Sequence, residues 1–311
     1  MSGRTSNPER PATIGLIGLG LIGSAVSERL LAAGHTVIGF DVVEEARMKL
    51  SQLGGVRTAS AQEVAQATDI VMLALPNDAV LAKVLRDIDG SLHAGHILAD
   101  LGTGNPRTAE SLAAKLSDRG VQFLDATISG SSAQVRRGDV LVMVGGEESA
   151  FGVTQRLFES FAWRVRHVGP SGRGAWMKLV TNLVLGLNRA ALAEGLAFAE
   201  SAGLDAESTL SILRDSMAYS RIMDTKGPKM VARDFAPEAR LSQHLKDVRL
   251  IRAAASQVGQ SLPLSEEHQR LLELAETLGL GGFDNSAIIE ALRVSEPQSV
   301  ADVGTAEKLR A

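Results

Sequence analysis

A lysine amine set among apolar residues and a glycine-rich turn fit to hold phosphate are the two chemically suggestive features of this sequence. Lys178 lies in the run Ala175-Trp176-Met177-Lys178-Leu179-Val180, and Asn182 follows one helical turn later. On a helix that spacing puts both side chains on one face. A neutral amine takes the hydroxyl proton of an alcohol while hydride leaves the carbon, and an ammonium returns it in the reverse direction. Burial and nearby positive charge lower a lysine pKa, which is the tuning that role needs. The plain alternative is a surface lysine on an amphipathic helix, and the apolar neighbours count against it. The Asn182 amide would hold a substrate or orient the amine, the alternative being a polar contact between helices.

The second feature is Gly18-Leu19-Gly20-Leu21-Ile22-Gly23, with glycines in the G-x-G-x-x-G spacing between a candidate strand and a candidate helix. Each glycine has a reason: a tight turn at Gly18, close approach of pyrophosphate at Gly20, and helix–strand packing at Gly23. The helix start offers unpaired N–H groups and a favourable dipole to phosphates. Asp41 stands 23 residues beyond Gly18 at the end of the next candidate strand, where an acid bonds a ribose 2′-OH. Val42 follows, with no arginine to meet a 2′-phosphate. NAD is therefore the expected cofactor and NADP the less favoured one. A helix N-cap is the bland role for Asp41.

These groups need a scaffold, and the chain offers two. Short apolar runs at Thr13–Ile17, Thr36–Phe40, Ile70–Ala74, His96–Ala99 and Gln122–Leu124 alternate with helical stretches such as Ile22–Ala33 and Thr108–Leu116. Alternation of this kind predicts an α/β, Rossmann-type doubly wound parallel sheet with helices on both faces. Val140–Val144 and Arg164–Val168, around a helix near Glu148–Phe158, extend the same sheet. Beyond Gly169 the pattern turns helical: about Gly174–Ala202, Asp205–Asp215, Gln243–Val258, Ser265–Leu278 and Asn285–Leu292, punctuated by Gly227-Pro228, Ser261-Leu262-Pro263 and Gly281-Gly282. The first of these, roughly 45 Å long at 1.5 Å per residue, is suited to link two domains or to pack on a partner subunit. The expected organisation is a disordered tail over 1–11, a dinucleotide-binding domain over 12–170, an all-α domain over 171–295 and a flexible tail over 296–311.

Composition narrows the function classes. Apolar residues make up 45% and charged residues 22%, as in globular proteins. A formal charge of −4 gives no basic surplus for nucleic acid. The absence of cysteine removes disulfides, thiolate nucleophiles and Cys-ligated metal. Six histidines (His35, His93, His96, His167, His244, His268) show no recognisable metal-ligand spacing, so no metal is expected. His244 is read as a surface residue. The polar first ten residues lack the apolar stretch of a signal peptide, and no apolar run reaches the ~18 residues of a membrane span. Cytoplasm is the expected compartment.

The chain resembles the β-hydroxyacid dehydrogenase family, which includes 3-hydroxyisobutyrate dehydrogenase and tartronate semialdehyde reductase, over roughly residues 13–292. The resemblance rests on four ordered segments. They are Gly18–Gly23 (with Ile22 where Met is usual), Asp125-Ala126-Thr127-Ile128-Ser129-Gly130-Ser131, which looks like the family's substrate loop, Gly172–Asn182, and Lys246-Asp247. It implies hydride transfer between NAD and a small anionic β-hydroxy acid or its semialdehyde, of the 3-hydroxyisobutyrate, glycerate/tartronate semialdehyde or 4-hydroxybutyrate kind. Lys178 is then the general acid/base and Asn182 its companion. Ser129, Gly130, Ser131, Thr103 and Asp247 serve the substrate. Gly18, Gly20, Leu21, Ile22, Gly23, Asp41, Leu75, Pro76, Asn77, Thr103 and Lys246 serve the cofactor. The 125–131 segment departs most, with Thr127 for the usual Pro, Ser131 for a second Gly, and Gln134-Val135 for Gly-Ala, which bears on pocket width; Gly102 stands where Ser is usual.

Two rivals share the fold: an imine reductase, whose group generally lacks a lysine at the position of Lys178, and a non-catalytic nucleotide-binding scaffold. Arg221 and Arg240 are read as solvated rather than as readers of the substrate's far end. Family members form dimers or tetramers, so a homodimer or homotetramer is expected, with neither nucleic acid nor membrane as partner.

Overall fold

The computed structural model describes residues 11–294. The tails expected over 1–11 and 296–311 fall, except for Pro11, outside the described residues. Contacts divide the chain into two compact units, one up to Lys178 and one from Leu179 onward.

The first unit alternates strand and helix: β1 (Thr13–Ile17), α1 (Leu21–Ala32), β2 (Thr36–Phe40), α2 (Glu44–Gln52), β3 (Val56–Arg57), α3 (Ala61–Ala67), β4 (Ile70–Leu73), α4 (Asp78–Ile88), β5 (Ile97–Asp100), α5 (Pro106–Ser117), β6 (Gln122–Ser129), α6 (Ser132–Arg137), β7 (Leu141–Gly145), α7 (Glu148–Glu159) and β8 (Arg164–Gly169). The strands form one sheet in the order β3-β2-β1-β4-β5-β6-β7-β8. Strand order reverses at β1, so the chain leaves β1 and β4 in opposite directions and opens a crevice at their carboxyl ends, where ligands of such sheets sit. Helices cover both faces, and the core splits accordingly: Leu16, Val26, Leu30, Met72 and Leu124 lie in one buried cluster, Ile17, Val64, Leu73, Leu98 and Phe123 in another. Each fully buried aliphatic side chain contributes about 1.5–3 kcal/mol by leaving water.

Local chemistry sets the helix starts. Ser60, Asn77 and Asn105 accept N–H groups of Glu63, Val80 and Arg107, satisfying donors that have no carbonyl one turn back. Pro106 then occupies the first turn of α5, where its missing N–H costs nothing.

Two expectations are corrected. The sheet is not parallel throughout, because β6 and β7 pair antiparallel, Thr127 facing Met143. The segment read as a substrate loop from Asp125 is strand as far as Ser129. Its polar residues misled the reading, for Asp125 and Thr127 are buried at 2% and 1% exposure by partners distant in sequence.

The second unit is helical: most of α8 (Arg173–Ser201), then α9 (Ala206–Asp215), α10 (Ile222–Thr225), α11 (Gly227–Ala232), α12 (Leu241–Gln257), α13 (Pro263–Thr277) and α14 (Ile288–Arg293). Leu192, Leu196, Met230, Leu241, Leu245, Leu272 and Ile289 build its core. Asp284 pins the loop before α14. It accepts Lys226 Nζ at 2.9 and 2.8 Å, and also the N–H groups of Glu238, Ala239 and Ser286. No described helix is long and apolar enough to cross a membrane.

Candidate active site

The glycine turn lies between β1 and α1. Gly18 has φ of +94°, the left-handed region, and a Cβ there would lie 2.4 Å from the Ala74 carbonyl oxygen. A Cβ on Gly23 would lie 1.9 Å from the Gly18 oxygen, so α1 starts flush against the turn. Gly20 faces open space, with nothing within 4 Å of a built Cβ. Two glycines are therefore required by packing, while the third leaves room beside the free N–H groups at the start of α1. That is the cradle a pyrophosphate needs, and the turn fits the diphosphate of a nicotinamide dinucleotide. Leu21 is exposed above it and Ile22 packs partly into the core.

Asp41 leaves the end of β2 and returns to this turn: Oδ2 accepts the Leu19 N–H at 2.6 Å and Oδ1 the Val43 N–H at 2.9 Å. It does not cap α2, whose N-cap is Val43. The surroundings correct one premise. Arg47 donates to the Asp41 carbonyl oxygen and pairs with Glu44, and Arg57 Nη1 reaches the same glutamate at 2.5 Å. Arginines do stand near the acid, though both are paired with the one carboxylate of Glu44.

The loops after β4 and β5 are braced together. Leu75, Pro76 and Asn77 follow β4, with Asn77 capping α4. Asp78 accepts the Asn105 N–H at 3.0 Å, and a Cβ on Gly104 would strike the Asp78 carboxylate. Thr103 is half-buried between these ties. Asp100, which no sequence pattern singles out, accepts the Gly102 N–H at 2.9 Å. Burial pushes its carboxyl up to about 7, opposed by the Gly102 bond and aided by the charges of Asp78 and Asp125. The three acids share the lining of a small cavity with Thr108, Thr127 and Ala175, with about 10 Å³ of free space, room for roughly one water.

Ser129 ends β6 half-buried, and Gly130 has φ of +147° with Val140 2.5 Å from a built Cβ, so only glycine turns the chain here. Ser131 caps α6. Its hydroxyl accepts the Gln134 N–H at 3.3 Å, while Gln134 Oε1 accepts the Ser131 N–H at 2.9 Å. The unusual Ser131 and Gln134 are thus one device, a capping box.

Lys178 stands five residues into α8, whose start is tied to the sheet. Asp125 Oδ1 accepts the Gly172 N–H and Oδ2 the Ala175 N–H, both at 2.8 Å. Burial raises the Asp125 carboxyl above its ordinary value, and these N–H groups hold it back. Lys178 is 9% and Asn182 8% exposed, on one face of a continuous helix. In the helical unit, Asn182 Nδ2 donates to Asp247 Oδ2 at 3.3 Å, and Lys246 Nζ lies 4.0 Å from Asp247 Oδ1. Lys246 and Asp247 share α12.

Other expectations resolve as follows. His244 is not at the surface; it is 6% exposed, with its ring 5.1 Å from that of His268. Gly186 leaves room for both rings, since a Cβ there would sit 2.7 Å from His268 and 2.8 Å from His244. Arg221 and Arg240 are exposed. Although the histidines lack a sequence pattern, Asp69, His93 and His96 bring possible ligand atoms within 4.8 Å of one another. His96 is already committed, Nε2 to the Ala65 carbonyl at 3.0 Å and Nδ1 to the His93 N–H at 3.0 Å. Asp69 and His93 alone are too few to hold a metal. A larger cavity, about 390 Å³, lies in the helical unit between the end of α12 and the start of α13, lined by Arg252, Gly259 and Glu266. None of the sequence-predicted site residues lines it.

Comparisons with known proteins bear on this geometry. Residues 13–169 match the model of the NAD binding domain of 6-phosphogluconate dehydrogenase, and residues 172–292 match that described as NAD-binding of NADP-dependent 3-hydroxyisobutyrate dehydrogenase. The chain is 31% identical over 295 residues to 2-hydroxy-3-oxopropionate reductase of Escherichia coli strain K12, covering 93% of this chain and 99% of that one. It superposes on Mycobacterium tuberculosis 3-hydroxyisobutyrate dehydrogenase, solved with L-serine, with a TM-score of 0.85 at 27% identity, covering 92% and 100% of the two chains. An imine reductase from Pseudomonas sp. shares the fold at a TM-score of 0.63 and 21% identity, covering 91% of this chain and 100% of that one.

Proposed function

This chain belongs to the β-hydroxyacid dehydrogenase family, and from that premise we propose that Lys178 is the proton carrier of an NAD-linked oxidoreductase acting on a small β-hydroxy acid. The observation that carries the reading is the placement of a nearly buried amine in the second turn of a helix whose first turn is bonded to the sheet. A nicotinamide dinucleotide held at the glycine turn would supply the hydride acceptor or donor for the substrate carbon. Lys178 Nζ takes the hydroxyl proton during oxidation and gives it back during reduction. Asn182 orients the reacting oxygen or the amine, and its own amide is oriented by Asp247.

Ser129, Gly130 and Thr103 offer hydroxyl and N–H groups to the substrate carboxylate. Ser131 adds to them only if its cap is shared. Gly18, Gly20, Leu21, Ile22 and Gly23 receive the diphosphate, and Asp41 the ribose. Leu75, Pro76, Asn77 and Lys246 complete the cofactor contacts. NAD is preferred over NADP because Asp41 repels a 2′-phosphate and the two arginines nearby are engaged by Glu44. The substrates named for the relatives, 2-hydroxy-3-oxopropionate above all, define the class to screen.

Exposed Met177, Val180 and Val184 recur at helical spacing along α8, which supports a homodimer or homotetramer. The lack of cysteine is consistent with a reducing, cytoplasmic setting.

The test is NADH formation from NAD with glycerate, 3-hydroxyisobutyrate, 4-hydroxybutyrate and threonate, in the wild type and in Lys178→Ala. The alanine variant is expected to lose about 10²–10⁴-fold in kcat while NAD binding by calorimetry is unchanged. An alanine variant with wild-type kcat refutes the proton role. Silence on all hydroxy acids together with turnover of a cyclic imine moves the activity to C=N reduction.

A further inference from the structure

Thr127 lies in the middle of β6, only 1% exposed, and its hydroxyl has two backbone oxygens in reach: Gly174 at 3.1 Å and Met143 at 3.3 Å. Met143 is its cross-strand partner on β7. Gly174 is the second residue of α8, and in an α-helix its carbonyl also receives the N–H of the residue four positions on, which is Lys178. One carbonyl oxygen therefore joins the Thr127 side chain to the backbone that carries the amine.

The surroundings leave that junction little play. A Cβ on Gly174 would lie 2.1 Å from the Asp125 carbonyl oxygen, and one on Gly145 would lie 2.7 Å from the Gly174 nitrogen. The first turn of α8 thus rests backbone against backbone on β6 and β7. Asp125 holds the turn by two N–H groups, and Thr127 holds it by a carbonyl. A proline at 127 would supply no hydroxyl for this contact.

We propose that Thr127 is a positioning residue for Lys178, its hydroxyl fixing through the Gly174 carbonyl the turn from which the amine projects. The inference rests on the reading of Lys178 as proton carrier. Proton and hydride transfer demand near-contact geometry, and a displacement of about 1 Å at the root of the lysine costs as much as 10²-fold in rate.

The experiment compares Thr127→Val, which keeps the shape and loses the hydroxyl, with Thr127→Ser, which keeps the hydroxyl. The substrate is whichever of glycerate, 3-hydroxyisobutyrate, 4-hydroxybutyrate or threonate the wild type oxidises fastest. The valine variant is expected to lose about 10- to 100-fold in kcat, with KM and the calorimetric Kd for NAD within about twofold of wild type. Amide exchange over residues 175–178 should quicken in the valine variant alone, a readout that needs no substrate. The serine variant is expected to recover kcat to within about threefold. A folded valine variant with wild-type kcat and exchange overturns the proposal, as do equal losses in both variants, since a retained hydroxyl then fails to sustain the rate. Should the valine variant fail to fold, the serine variant decides: retained kcat and exchange support the hydroxyl, and a loss overturns it. Lys178→Ala runs alongside, since wild-type kcat there refutes the parent reading whatever Thr127 does.

Discussion

The Asp41 carboxylate accepts the Leu19 N–H at 2.6 Å, so the acid at the end of β2 is tied to the glycine turn that follows β1. The acid and the phosphate cradle are therefore held in one geometry, with the remaining carboxylate lone pairs available to a ribose. Asp41→Ala is expected to raise KM for NAD about tenfold, the scale of a lost charge-assisted hydrogen bond, and to narrow the gap to NADP. Initial rates with both cofactors check this. A wild type that favours NADP, or a variant with an unchanged ratio, refutes the specificity role.

Gly23 makes a different demand, because its neighbour is the Gly18 carbonyl rather than a flexible side chain. Gly23→Ala must push α1 away from the turn. Overpacking of this kind costs about 1–3 kcal/mol, so the variant should unfold at lower denaturant and bind NAD more weakly. Gly20→Ala meets no protein atom and should fold like the wild type while losing NAD affinity. Chemical denaturation and calorimetry on the pair separate packing from ligand approach.

How far the sequence reveals the molecule depends on whether partners are near or far along the chain. The glycine turn, its acid and seven of the strands were legible because each rests on local pattern, and α8 was legible from sustained apolar periodicity. β3, which has two residues, and α10 and α11, with four and six, are too short for a period to register in the sequence. Gly227-Pro228 has the composition of a break but begins α11, with proline in its first turn. The capping box of Ser131 and Gln134 is spelled in the sequence as S-x-x-Q and could have been found there. Asp125 and Thr127 could not. Their hydrogen-bond partners lie 16 to 50 residues away, so nothing local marks them as buried.

Asp247 holds Asn182 from α12, and the amide of Asn182 can turn end for end without that tie. Asp247→Ala should lower kcat more than it raises KM, because orientation at the reacting oxygen matters most in the transition state. A loss of about tenfold in kcat is expected. Steady-state kinetics on Asp247→Ala, Asn182→Ala and the double variant test the pairing. Simple additivity of the two losses would mean that they act apart.

Asp100 makes stability depend on pH in a direction opposite to most carboxylates. Its folded-state pKa is raised to about 7, from the ordinary 3.8, first because burial disfavours the charge and also because Asp78 and Asp125 are near. Below pH 4 both folded and unfolded chains hold the proton, and the group adds no penalty. Between pH 4 and 7 the unfolded chain gives up that proton and the folded one keeps it, so stability falls as pH rises. Above pH 7 the full cost is present, about 4 kcal/mol at 1.36 kcal/mol per pKa unit. Asp100→Asn removes the titration while its amide oxygen can still accept the Gly102 N–H. The variant should therefore match wild-type Tm near pH 4 and exceed it increasingly toward pH 8. Taking the difference between the two proteins cancels the titrating groups that do not interact with Asp100, so a Tm difference constant across that range would show that the Asp100 carboxyl is not held protonated by the fold.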